Sequence, residues 1–181
     1  MADYTALMEA GSALVEMLRD NLTPEPLGDR ELVYLYHVEE ESPNLNAGYY
    51  QADRDIQRIR PARYALRYLI TAHSKAPSQL KEADQHRILG AALQTIRDNP
   101  VIPARYLTGS TAEEGAELHV NVERTPLEQM LKIWNNNSKD YKLSFVVSVT
   151  GVTIRSRRER RIVRVTEVSI DSQQRRPGGA Q

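Results

Sequence analysis

The run ELVYLYHVE at residues 31–39 limits the fold more than any other segment. Leu32, Tyr34, Tyr36 and Val38 alternate with Val33, Leu35 and His37, so a strand here is apolar on both faces and calls for cover on both. That pattern predicts a strand in the interior of a sheet. A second strand follows at 62–74, ARYALRYLITAHS, with Tyr64, Leu66, Tyr68, Ile70 and Ala72 on one face. A third, LSFVVSVT at 143–150, sets Leu143, Phe145, Val147 and Val149 against Ser144, Val146, Ser148 and Thr150 and reads as half-buried. ELHVNVER, 117–124, adds a fourth with Leu118, Val120 and Val122 aligned.

Helices separate these strands. Residues 5–21 carry Leu7, Leu14, Met17 and Leu18 on one side and charges elsewhere, and the helix ends before the turn-rich NLTPEPLGD. Residues 80–98 place Ile88, Ala92 and Ile96 beside Leu89 and Leu93, and Asn99-Pro100 stops that helix because proline lacks an amide proton. In TPLEQMLKIWNNN, Thr125 reads as an N-cap, Pro126 as the first helical residue and Glu128 as the return half of a capping box. Leu127, Met130, Leu131 and Trp134 then form one stripe, with Trp134 pointing inward. Pro103 is expected to keep VIPARYL extended, and 108–116 reads as loop. Residues 40–60, polar and holding Pro43 and Gly48, read as a long loop or arm. The order implies an α+β chain: a single, mostly antiparallel sheet with about three helices packed on it. It divides into an α+β domain over 1–154, an Arg-rich extended arm or terminal hairpin over 155–170, and a disordered tail over 171–181.

Composition removes several functions. With no cysteine among 181 residues, a disulfide framework, a thiolate metal site and a cysteine nucleophile are all excluded. No apolar run approaches the roughly 20 residues of a spanning helix. The first residues carry Asp3 and Glu9 without a basic region, so no signal peptide and synthesis in the cytoplasm are expected. The four histidines, His37, His73, His86 and His119, lie at unrelated positions. Only Glu82 and His86, four apart on a helix, could share a cation, and a surface pair is the plainer reading. Asp53 and Asp55 stand among Arg54 and Arg58, which suggests ion pairs in a loop. No nucleophile elbow, phosphate loop or zinc-protease motif occurs. The expectation is no enzyme, no metal and no cofactor.

Charge is distributed unevenly. Residues 1–50 hold ten acids against two bases, while 151–181 hold eight arginines against three acids. Such polarity suits a protein whose two ends meet opposite ends of a neighbour. The candidate contact residues are therefore Arg155, Arg157, Arg158, Arg160, Arg161 and Arg164 at the basic end, Glu39, Glu40 and Glu41 at the acidic end, and Arg54 and Arg58 in the 40–60 segment. Contact with carboxylates on a protein is one reading of the arginines. Nucleic-acid binding through 155–164 is the alternative, weakened by the lack of interleaved aromatics and of excess positive charge.

Taken together, VYLYHVEEESPNLN (33–46), ARYALRYLITAHS (62–74), ADQHRILGAALQTIRDNPVIPARYL (83–107) and Trp134 with YKLSFVVSV (141–149) resemble the tail-terminator, or cap, proteins of extracellular contractile injection systems. These are phage-tail-like particles of the virulence-cassette and antifeeding-prophage type. The resemblance runs through nearly all of residues 5–150. It departs at His37, where the family often has an acid, and at His73, where it has an aromatic. It implies a tail-terminator-like fold and a structural role without catalysis. The partners it implies are other copies in a hexameric ring, the inner-tube protein and the sheath protein, with no membrane, inside a particle that is released from the cell.

Overall fold

The strands that the alternation marks at 62–74 and 143–150 lie side by side in the middle of one sheet. In the computed structural model, which describes residues 3–21, 31–42, 48–74, 76–136 and 141–162, β1 (Glu31–Glu40), β4 (Ala62–Ala72), β6 (Ser144–Ile154) and β5 (His119–Glu123) form an antiparallel four-stranded sheet in the order β1-β4-β6-β5. β2 (Tyr49–Asp53) and β3 (Ile56–Ile59) make a hairpin that joins β7 (Glu159–Arg161) in a second, three-stranded sheet. The helices are α1 (Ala6–Asn21), α2 (Lys81–Asp98), the short α3 (Gly109–Glu113) and α4 (Leu127–Asn136).

The larger sheet is covered on both faces. On one, α1 buries Ala10, Ala13, Leu14, Met17 and Leu18, and α2 buries Ile88, Leu89, Ala92 and Ile96, against Leu66, Tyr68, Ile70, Val147 and Val149. The alanines and Gly11 let α1 come close: a Cβ on Gly11 would sit 3.1 Å from the Tyr68 hydroxyl. On the other face α4 lays Met130 and Trp134 over Leu69 and Val146. Each fully buried side chain of this size contributes about 1.5–3 kcal/mol. Trp134 Nε1 donates to Ser144 Oγ at 3.1 Å, so the indole is buried without losing its hydrogen bond.

β6 bends where Tyr64 pairs Val152 but Leu66 pairs Val149. Gly151 occupies the extra position with φ +90°, a conformation that L side chains rarely adopt.

Several sequence expectations need correction. β1 lies at the edge of its sheet; β4 and β6 are the central strands. β6 is buried on both faces, with Val146, Val147, Ser148 and Val149 all inaccessible. The α+β, antiparallel class holds, with two sheets and four α-helices among the described residues in place of one sheet and about three helices. The 40–60 loop holds the β2–β3 hairpin, 108–116 holds α3, and Ala104–Tyr106 of VIPARYL closes into a 3-10 turn. α4 starts one residue beyond the capping-box reading, with the Met130 amide bonded to the Pro126 carbonyl. Of the 155–170 segment, β7 pairs with β3 of the same chain; 163–170 and the 171–181 tail lie outside the described residues.

Candidate interaction surfaces

Five of the charged candidates, Glu40, Glu41, Arg58, Arg155 and Arg157, line two grooves where the two sheets meet, whereas Glu39, Arg54, Arg158, Arg160 and Arg161 do not. β1 runs out into Glu40 and Glu41 beside the start of β4 and the end of β6. A groove of about 720 Å³ opens there, lined by Glu40, Glu41, Arg60, Arg63 and Arg155 over Tyr50, Ile59, Tyr64 and Ile154. A second groove of about 500 Å³ gathers Arg58, Arg155, Arg157 and Glu159 with Glu113 and Glu114. Chain ends that are distant in sequence thus share one surface.

Much of this charge is paired within the subunit. Arg58 contacts Glu159 at 2.6 Å across the β3–β7 pair, and Arg155 contacts Glu114 at 3.0 Å. The guanidinium of Arg157 stands 5.6 Å from the ring centre of Tyr4. Glu39 receives Arg67 at 2.9 Å, with His37 at 3.8 Å. Glu41 accepts a 2.6 Å hydrogen bond from the Gly151 amide, which ties it to the β6 bulge. The Arg54 amide donates to the Asp53 carboxylate in the hairpin turn, so the expected Asp–Arg pairing gives way to a local turn contact and to the Arg58–Glu159 bridge. Arg158, Arg160 and Arg161 are exposed, the last two on β7 facing Gln57 and Ile56 in register. Arg164 lies outside the described residues.

Sequence reasoning missed Glu114, whose position in a loop-like stretch gave no sign of an arginine partner. It also missed Glu9, a buried carboxylate on α1. Thr5 Oγ1 and Ser110 Oγ donate to it at 2.6 and 2.8 Å, and so does the Thr111 amide at 3.1 Å. Burial pushes the Glu9 carboxyl up, but the bonds from Thr5, Thr111 and Ser110 together hold it below the ordinary carboxylate value. This contact fastens α3 to α1. Burial likewise pushes the Tyr68 phenol up to about 12.

Histidine chemistry does not assemble. His37 and His119 each face a glutamate, Glu39 and Glu117, and His86 is exposed on α2 beside Glu82. Among the described residues no three His, Asp or Glu side chains form a group that could hold a metal ion, and no helix is long and apolar enough to cross a membrane. The arrangement offers charged and apolar contact surface at the junction and a protected core behind it.

Comparison with known proteins gives the same picture. A family profile described as the Pvc16 N-terminal domain matches residues 13–167. The fold is similar to that of a sheath/tube terminator of an extracellular contractile injection system, solved in the extended state, at a TM-score of 0.59 and 18% identity, covering 93% of this chain and 63% of that one. It is equally similar to the tube-terminating cap of the anti-feeding prophage, at 0.59 and 18%, covering 94% of this chain and 63% of the other. The chain therefore spans less than two thirds of the length of either structure. No curated protein matches its sequence.

Proposed function

Because the chain belongs to the Pvc16 N-terminal domain family, we propose that it is a structural tail terminator, a ring-forming cap that ends growth of the tube and sheath of a contractile injection particle. The observation that carries this reading is the family match through residues 13–167, supported by a fold shared with two caps over nine tenths of the chain. A terminator must fit the last ring of a polymer on one side and offer no landing surface for the next ring on the other. Subunits in such a ring meet through unlike surfaces, head to tail. The acidic end of β1 and the exposed arginines of β7 supply two unlike charged patches for that contact.

In this reading the subunit acts by binding alone, as a hexamer seated on tube and sheath within a released particle. It needs no cofactor. The six-fold number comes from the family resemblance. The test is to delete the coding sequence from a particle-producing strain and image the particles. Tails of uncontrolled length or sheaths that fall apart are the expected outcome; particles of normal length and stability would overturn the reading.

A further inference from the structure

β1 is an edge strand with the composition of an interior one. Among the described residues it pairs with β4 alone, so one side of this ten-residue strand keeps its row of amides and carbonyls unpaired. Two apolar side chains on it, Tyr34 and Val38, are each 42% exposed. Alongside lies a cleft of about 380 Å³ between α1 and β1, with Leu7 and Val15 on the helix side, Val33 and Leu35 on the strand side, and Tyr68 at its base. The Tyr68 hydroxyl is buried without a hydrogen-bond partner among the described residues. An edge strand next to a helix-walled apolar cleft is the arrangement by which folded domains take up an extended segment as an added strand.

We propose that this edge and cleft receive residues 163–170 of a second copy of the chain. The segment reads VRVTEVSI, eight residues rich in the β-branched types that favour a strand, against the ten of β1. Its entry is basic, through Arg160, Arg161 and Arg164, whereas β1 leaves the sheet through Glu39, Glu40 and Glu41. Bringing those charges together makes the added strand antiparallel to β1. Setting Val168 beside Leu35 and Ile170 beside Val33 turns both apolar side chains into the cleft, and past the extra residue that β1 carries between Leu35 and His37 it brings Thr166 level with Val38 and Arg164 level with Glu40. A polar atom of the incoming strand would then satisfy the Tyr68 hydroxyl. The inference rests on the ring reading above, since it names how neighbouring subunits in the ring are joined.

The chain has no cysteine, so any disulfide reports an introduced pair. Full-length Val38→Cys and Thr166→Cys proteins, one carrying a longer tag, are mixed and oxidised without denaturant. The expected product is a disulfide between the two different chains, exceeding either homodimer and lost when Arg160, Arg161 and Arg164 are changed to Glu. A chain ending at Ile162 is expected to keep its circular dichroism and lose its oligomers. If multimers form but no mixed disulfide does, or if the shortened chain still assembles, the strand proposal falls while the ring reading stands. If a chain carrying both cysteines closes only within itself, the proposal also falls. A protein that stays monomeric at every concentration removes both.

Discussion

The two sheets of this molecule are built on different physics. The larger one is sealed between α1 and α2 on one face and α4 on the other, and its central strands β4 and β6 contain runs of inaccessible residues. The smaller one, β2-β3-β7, is mostly exposed; its half-buried residues include Ile56, Gln57 and Ile59, and its clearest side-chain tie is the Arg58–Glu159 bridge. Burial of apolar area fixes the first, and backbone pairing with solvent-screened charge holds the second. Stability is thereby concentrated in one part of the chain and adaptable contact surface in another, a division that suits the proposed role at the end of a polymer.

The contrast makes quantitative expectations. Trp134→Ala removes the largest side chain of the α4 face and should cost about 3–5 kcal/mol, read as a lower midpoint in urea by circular dichroism. Gly151→Ala should cost about 1–3 kcal/mol, because the residue has φ +90° and an added Cβ would lie 2.5 Å from the Glu117 carbonyl oxygen. A normal midpoint for either variant would mean that the larger sheet is not sealed as described.

Acid should act next, on the α1–α3 contact. Glu9 has a lowered folded value, so its stabilisation is complete above the free carboxyl's 4.5 and is lost as pH falls through the folded value. Glu9→Gln should flatten that part of the thermal-melt profile; an unchanged profile would remove Glu9 from the account. In the smaller sheet, Arg58→Ala should change global stability by less than about 1 kcal/mol. It should still speed amide exchange in β3 and β7, and less so in high salt, where the bridge is already screened. Smallest of all, Arg158→Glu with Arg161→Glu should leave the melting curve within about 0.5 kcal/mol of wild type. That pair should nevertheless weaken oligomerisation measured by sedimentation, and intact assembly would show that Arg158 and Arg161 make no contact.

The strands of the larger sheet were legible because side chains in a strand alternate, and Tyr64 to Ala72 or Leu143 to Val149 display that alternation in one dimension. The proline stop at Asn99-Pro100 and the burial of Met130 and Trp134 were legible for the same local reason, whereas Leu127 and Leu131 of the expected stripe are exposed. The position of β1 was not. Apolar faces report what lies above and below a strand, whereas edge or centre is decided sideways, by which backbones are present to pair. Val33 and Leu35 pack toward α1, Tyr36 packs toward α4, and the free side carries no signature in residue type.

The contact residues divide in the same way. Residue order alone showed that one end of the chain is acidic and the other arginine-rich, that cysteine chemistry is absent, and which segments carry a family's pattern. Folding in three dimensions was needed to bring Arg58 to Glu159 and Arg155 to Glu114, to set Glu41 against the Gly151 bulge, and to let Glu9 hold α3. Each of these joins residues far apart in the chain, and such pairs become neighbours only after burial of the apolar core has fixed the path of the backbone.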